Sequence, residues 1–107
     1  MTTLSFPIYS VLASDPDLRE VVRLFVEEIP ERMQVFENEL VAEHWPELQR
    51  VAHQLKGTAG SHGFAELSKV AAALESTIQS NAGVQEIAAA TANLIAVCQR
   101  ATAEPSP

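Results

Sequence analysis

Apolar residues in this chain recur at steps of three and four, the spacing that keeps them on one face of an α-helix. The clearest run lies in the first half of the chain and contains Leu18, Val21, Val22, Phe25, Ile29, Met33, Phe36 and Leu40. No stretch alternates apolar and polar residues as a half-buried strand does, and the good helix formers Ala, Leu, Glu and Gln are abundant. The sequence therefore predicts an all-α fold.

Breaks in the apolar pattern divide the chain into four predicted helices. The first begins at the capping and proline signals of Ser14–Asp17 and contains Pro30, where the uninterrupted apolar phase favours a kink over a break. The second helix has Pro46 in its first turn. The last three helices are predicted over about 46–62, 64–79 and 84–101, with a turn signal at 81–83.

The loops between these helices are short, which predicts an antiparallel up-down-up-down four-helix bundle. Residues 1–13 include Phe6, Ile8 and Val11 and are predicted to form a short helix or an apolar flap across one end of the bundle. A chain of 107 residues is long enough for one hydrophobic core. We therefore expect a single domain over residues 1–103, followed by a disordered tail at 104–107.

The charge and composition argue against several classes of partner. The net charge of −7, with only scattered basic residues, disfavours nucleic acid and anionic membrane surfaces. The one cysteine, Cys98, excludes an internal disulfide, fits a reducing compartment and is interpreted as a small core residue. No apolar run approaches the length of about 18 residues that a membrane span needs, and no signal-peptide pattern is visible. These features predict a cytoplasmic monomer with no nucleic acid or membrane partner.

The second predicted helix carries three of the four glycines of the chain, Gly57, Gly60 and Gly63, close to His53. A glycine inside a helix costs about 1 kcal/mol relative to alanine. At about 100° per residue, His53 shares a face with the first two glycines, opposite the predicted core stripe of Leu48, Val51, Leu55 and Ala59. Gly63 is placed to end the helix as a left-handed cap. We expect an exposed imidazole beside a bare strip that a partner can approach closely, with chance or internal packing as the alternative explanation of the glycines.

The imidazole of His53 has the chemistry of a nucleophile, because a neutral, exposed histidine is competent near physiological pH. Lys56 lies one turn away and can reach an anion on the ring, while Arg50 flanks the ring on its other side. Taken alone, this pattern also fits a solvated surface. No cluster of acidic residues is expected to converge near His53. His44 projects roughly opposite His53, so no shared metal site is expected. His62 is interpreted as a helix-end histidine that is partly buried or bonds a last-turn carbonyl.

A family resemblance is carried by the second helix and the start of the third. The histidine-containing phosphotransfer (HPt) domain family has a signature that resembles Ala52-His53-Gln54-Leu55-Lys56-Gly57, the small residues up to Gly63, and Phe64-Ala65-Glu66-Leu67. The likeness extends over most of the chain, because 25–32 resembles the first long helix of the family and Leu74-Glu75 resembles part of its third. One departure is His44, which stands where family members often have a capping aspartate.

The resemblance implies a carrier in a multistep phosphorelay. His53 would accept a phosphoryl group from an aspartate of a receiver domain and pass it to a response regulator. Lys56 would stabilise the phosphoryl oxygens, and the residues expected to contact the partner are Arg50, Gln54, Gly57 and Gly60. The implied partners are receiver domains of hybrid histidine kinases and response regulators, which bring their own Mg²⁺, so this chain needs no cofactor or metal. No ATP-binding motif is visible, so the chain is expected to be a phosphoryl carrier and not an enzyme.

Two other interpretations remain open. Within the same family, the chain could be the phosphorylated N-terminal module of a chemotaxis-type histidine kinase, in which a kinase domain loads His53 from ATP. The second interpretation is a helical protein-interaction module whose histidine is never phosphorylated. The presence of both His53 and Lys56 argues against the second, whereas the sequence separates the first from a phosphorelay carrier poorly.

Overall fold

A computed structural model describes residues 6–107 of the chain. Over this range the fold is mostly helical, as predicted, with four helices and one pair of very short strands. The elements in chain order are β1 (Ile8–Tyr9), α1 (Arg19–Val41), α2 (Trp45–Ser61), α3 (Ala65–Gln79), α4 (Val84–Cys98) and β2 (Ala101–Thr102). Each helix contacts the next one, and α1 also contacts α4. Among the described residues, no helix has the length and apolar character needed to cross a membrane.

The first helix begins later than predicted. The side chain of Asp15 accepts a hydrogen bond from the Asp17 amide at 2.9 Å, and its carbonyl oxygen accepts bonds from the Leu18 and Arg19 amides. This local turn competes with the helix for backbone partners, so the regular helix starts at Arg19 instead of within 14–17. The helix then continues through Pro30 without a break.

The N-terminal segment is a strand and not the short helix offered as one possibility. Ile8 and Tyr9 pair in parallel with Ala101 and Thr102, and the Ile8 amide donates to the carbonyl of Arg100 at 2.8 Å. Helix α4 consequently ends at Cys98, three residues before the predicted end at 101. Two-residue strands are too short to produce a sequence period, which is why the prediction missed them. The part of that prediction that falls on residues 1–5 lies outside the described residues.

The turn between α2 and α3 confirms the predicted role of Gly63. Its φ angle is +83°, in the left-handed region that side chains disfavour. A Cβ atom at this position would lie 2.5 Å from Oγ of Ser10. That same hydroxyl donates a hydrogen bond to the carbonyl of His62. The N-terminal segment therefore holds the turn that places α3 beside α2.

The hydrophobic core is formed by one face of every helix. On α2 the buried residues are Leu48, Ala52, Leu55 and Ala59, so the predicted stripe is confirmed except that Val51 is half-buried and Ala52 takes its place. Cys98 is buried in the core, as interpreted, and burial raises the pKa of its thiol to about 11. Residues 104–107 form no helix or strand, and the domain boundary at residue 103 remains a prediction.

Candidate functional site

His53 lies in the middle of α2, on the side opposite the buried stripe of that helix. Its side chain is 64% exposed. The core-facing neighbours Ala52 and Leu55 are fully buried, so the register of the helix is set by packing and directs the imidazole to solvent. The ring is therefore presented to solvent, in the orientation predicted from the helical projection.

The carboxylate of Glu75 on α3 contacts this ring. Oε2 of Glu75 lies 2.7 Å from Nδ1 of His53. A carboxylate can only accept a hydrogen bond, so we assign the proton of the neutral imidazole to Nδ1, which leaves the lone pair on Nε2. The pairing also restrains the ring, because the carboxylate belongs to a packed helix and its side chain is only 10% exposed.

Lys56 binds the other oxygen of the same carboxylate. Its Nζ atom lies 2.9 Å from Oε1 of Glu75. The hydrogen bond from Lys56 is the main cause that holds the pKa of Glu75 below its usual value. Burial raises this pKa, and the hydrogen bond from His53 lowers it further. Glu75 is therefore a carboxylate that accepts one hydrogen bond from the ring and one from the ammonium group.

The sequence analysis expected no acidic cluster beside His53 and missed this single carboxylate. The sequence feature that points to Glu75 is its position on the buried face of α3, four residues after Ala71 and next to Leu74. An ionisable side chain at a core position is rarely buried without a partner. Searching each apolar stripe for an acid or base would have identified this residue.

The structure also refines the prediction for Lys56. We expected the ammonium group to be available to an anion on the His53 ring. In the structure it is paired with Glu75, and its side chain is 38% exposed. Lys56 is therefore at the site, next to the ring and bonded to the same carboxylate, and its predicted role toward a phosphoryl group remains a prediction.

The two glycines of the His53 face differ in their surroundings. Among residues 6–107, no heavy atom outside the adjoining backbone of α2 lies within 4 Å of a Cβ built at Gly57, so the surface is open there. At Gly60 a Cβ would lie 3.4 Å from Oγ of Ser68, which donates a hydrogen bond to the carbonyl of Lys56. Gly57 thus fits the predicted bare strip, whereas Gly60 is exposed but also borders the contact between α2 and α3.

A depression of about 530 Å³ lies on the N-terminal side of His53 and is lined by Pro46, Gln49, Arg50, His53, Gln54 and Glu75. Arg50 and Gln54 are both exposed, as expected for residues that contact a partner. The guanidinium of Arg50 is paired with Glu47, an exposed ion pair of the kind that contributes little to stability. The predicted docking residues Arg50 and Gln54 therefore border the same surface depression as His53.

The other two histidines are not part of this site. Nδ1 of His62 lies 2.7 Å from the carbonyl of Thr58, and its ring stacks on Phe25 with 4.7 Å between centroids, as interpreted for a helix-end histidine. His44 precedes α2 without a capping hydrogen bond from its side chain and contacts Glu39 at 3.1 Å. Within residues 6–107, no three ligand-type side chains are grouped to hold a metal ion.

One of the comparisons with known proteins identifies a family. A family model described as "Hpt domain" matches residues 20–104, which extend from the first turn of α1 to just beyond β2. Neither the comparison with curated proteins nor the comparison with solved structures found a match. The match covers most of the chain and includes every residue of the site described above. The chain therefore belongs to the Hpt domain family, whose members are phosphocarrier modules of histidine phosphotransfer.

Proposed function

We propose that this protein is a phosphorelay carrier that is phosphorylated on Nε2 of His53. The phosphoryl group arrives from an aspartyl phosphate of a receiver domain and leaves to the aspartate of a response regulator. The observation that carries the proposal is the exposed ring of His53, 64% accessible and held at Nδ1 by Glu75. Within the described part of the chain Nε2 has no hydrogen-bond partner, and a restrained ring with that nitrogen open is the arrangement that nucleophilic transfer requires.

The transfer step uses the lone pair of Nε2. This nitrogen attacks phosphorus in line with the bond to the donor aspartate, a nitrogen–phosphorus bond forms, and the aspartate leaves as a carboxylate with the bonding electron pair. The proton on Nδ1 stays on the ring, which becomes positively charged. Glu75 accepts a hydrogen bond from that proton, so its negative charge balances the ring. Transfer to the next aspartate is the reverse of this step.

Lys56 is proposed to hold the phosphoryl oxygens once they arrive. Its ammonium group is bonded to Glu75, which is itself bonded to the ring, and the lysine stem is flexible enough to reach a new anion beside His53. The proposal is that Lys56 shares its three donors between the carboxylate and the phosphoryl group. Mg²⁺ is proposed to be supplied by the receiver domain and to neutralise phosphoryl charge there.

Gly57 and Gly60 are proposed to let the receiver approach the ring closely. Gly57 supports this most directly, because no atom of the described residues occupies the space where its Cβ would be. Gly60 adds to the strip while it also borders Ser68 on α3. Arg50 and Gln54 are proposed to contact the receiver at the depression that they line beside His53.

We also propose that the four helices form an antiparallel bundle and that the protein works as a monomer. The contacts of α2 with α3 support the antiparallel arrangement, because they run in opposite senses along the chain: Lys56 contacts Glu75, while the later Gly60 lies near the earlier Ser68. The monomer is supported by the net charge of −7 and by the use of the main apolar stripes inside the bundle.

The test is transfer of a radioactive phosphoryl group from receiver domains that have been phosphorylated with acetyl phosphate. The wild-type chain is expected to acquire label that is labile in acid and stable in base, as a phosphorus–nitrogen bond to histidine is. His53→Gln should abolish the label, and the matched control His44→Gln should retain it, because His44 is exposed and outside the site. Equal behaviour of wild type and His53→Gln would refute the carrier and favour the interaction module. Label acquired only from a kinase domain and ATP would favour the chemotaxis-type module.

A further inference from the structure

The side-chain hydrogen bonds between α2 and α3 converge on the candidate site. Within residues 6–107, three such bonds join the two helices, and all of them end on His53 or Lys56. Two are the bonds of Glu75 to the ring and to the ammonium group. In the third, Oγ of Ser68 donates to the backbone carbonyl of Lys56 at 2.7 Å. Helix α3 therefore holds Lys56 at both ends, at its carbonyl through Ser68 and at its ammonium group through Glu75.

Ser68 lies on the same edge of α3 as Glu75. The two residues are seven positions apart, which is close to two full turns and about 10 Å along the helix axis. At about 100° per residue, this edge is roughly a quarter turn around the helix from the fully buried Leu67, Ala71 and Leu74. The polar contacts with α2 and the core packing thus act on different faces of α3.

The contact of Ser68 restrains the rotation of α3 about its own axis. Core packing fixes which turn of α3 lies beside which turn of α2, but it acts on one face of the helix. A side-chain group about 6 Å from the axis moves by about 1 Å when a helix rolls by about 10°. Such a shift would lengthen the 2.7 Å contact of Glu75 with His53 beyond hydrogen-bonding distance. The bond from Ser68 resists this roll, because it ties the same edge of α3 to the backbone of α2.

Gly60 leaves the space in which this bond forms. A helix carbonyl points toward the residue four positions later, so the carbonyl of Lys56 points toward Gly60. A Cβ at position 60 would lie 3.4 Å from Oγ of Ser68 and 3.9 Å from its Cβ. A larger side chain there would compete with the hydroxyl for the place beside the carbonyl. This contact gives Gly60 a packing role in addition to the docking role proposed above.

We propose that Ser68 is a positioning residue for phosphoryl transfer, because its bond to Lys56 holds α3 where the carboxylate of Glu75 reaches Nδ1 of His53. This inference rests on the proposed function and adds a residue to it. Ser68 does not touch the reacting atoms. Its effect passes through Glu75, since a correctly placed carboxylate keeps the ring in one tautomer and one orientation.

The test compares side chains of matched shape at position 68 of the full chain. Ser68→Ala and Ser68→Val lack the hydroxyl, whereas Ser68→Thr keeps it in a side chain shaped like valine. At saturating receiver phosphorylated with acetyl phosphate, single-turnover transfer should slow about three- to fivefold in Ser68→Ala and Ser68→Val. The half-saturating receiver concentration should change by less than about twofold. Ser68→Thr should keep more than about half of the wild-type rate.

The matched control is Ser76→Ala, which removes an exposed hydroxyl next to Glu75 on α3 and should behave as wild type. The ¹⁵N spectrum of the unphosphorylated chain gives a readout that needs no receiver. The neutral ring of His53 should be the Nδ1–H tautomer in wild type and a mixture in Ser68→Ala. In a Glu75→Ala background, Ser68→Ala should slow transfer by less than about 1.5-fold more, because no carboxylate is left to position.

An unchanged tautomer in Ser68→Ala overturns the proposal, whatever the transfer rate. Equal defects in Ser68→Thr and Ser68→Val also overturn it, since the shape of the side chain and not its hydroxyl would be responsible. The same holds if Ser68→Ala slows transfer equally with and without Glu75. If no receiver labels the wild-type chain, the proposed function falls, while the tautomer still decides whether Ser68 positions Glu75.

Discussion

Nδ1 of His53 lies 2.7 Å from Oε2 of Glu75, although the two residues are 22 positions apart in the chain. The contact joins an exposed side chain of α2 to a nearly buried side chain of α3. Because the carboxylate also binds Lys56, it connects the two residues that the sequence analysis had placed at the site. The site is thus built across two helices, and its electrostatics depend on their packing.

Replacing Glu75 with Gln should slow phosphoryl transfer to His53 by at least about tenfold, because the amide cannot balance the charge of the phosphorylated ring. Single-turnover transfer from a phosphorylated receiver measures the rate. The ¹⁵N spectrum of the neutral imidazole gives a second readout, in which the single Nδ1–H tautomer of wild type should become a mixture. Glu86→Gln, at an exposed position on α4, is the control. A wild-type rate and an unchanged tautomer in Glu75→Gln would show that the contact is only structural.

The stability of the protein should depend on Glu75 at acid pH. The pKa of this carboxyl group is lowered in the folded state, chiefly by Lys56, so the unfolded state binds more protons once the pH falls below about 5. The stabilisation from Glu75 is therefore fully present above its ordinary pKa of 4.5 and is lost as the pH falls through the lower folded value. Urea unfolding of wild type and Glu75→Gln from pH 7 to pH 3 measures this contribution of Glu75 to the free energy of unfolding. The difference between their free energies of unfolding should shrink with acid, and a constant difference would contradict the prediction.

Substitutions at Gly57 should separate stability from transfer. Gly57→Ala is expected to raise the free energy of unfolding by up to about 1 kcal/mol, because the added Cβ meets no atom of residues 6–107 beyond its own helix backbone and the unfolded chain loses freedom. Gly57→Leu should leave the fold intact but slow transfer, because the larger side chain occupies the strip beside His53. Thermal melts and transfer rates check the two effects. Unfolding of Gly57→Leu, or an undiminished transfer rate, would count against the close approach of a partner.

Gly63→Ala should destabilise the protein by about 2 kcal/mol or more. The backbone at this position has φ +83°, which costs a residue with a side chain about 1–2 kcal/mol, and the new Cβ would also lie 2.5 Å from Oγ of Ser10. Gly83→Ala is the matched control, because its φ is −70°. Chemical denaturation compares the variants. Equal stability of the two variants would contradict both the strain assigned to the φ angle and the contact with Ser10.

Much of the helical fold, and the position of His53 on α2, could be predicted from the local sequence pattern. The period of the apolar residues predicted four helices, and the projection of α2 placed His53 opposite Leu55, because a helix has a fixed turn per residue. The cap at Gly63 was also predictable, because a left-handed backbone conformation favours glycine. The start of α1 depends on a hydrogen bond to the Asp15 side chain, and the strand pair depends on backbone hydrogen bonds. Neither leaves a period in the sequence, so both were missed.

The exposure of His53 and its place beside Gly57 were determined by the sequence alone, because both follow from the turn of a single helix. The partner of its Nδ1 was decided only by the tertiary structure. Glu75 reaches the ring because α3 packs on α2 in one register, and that register results from core packing of both helices, not from any spacing along the chain.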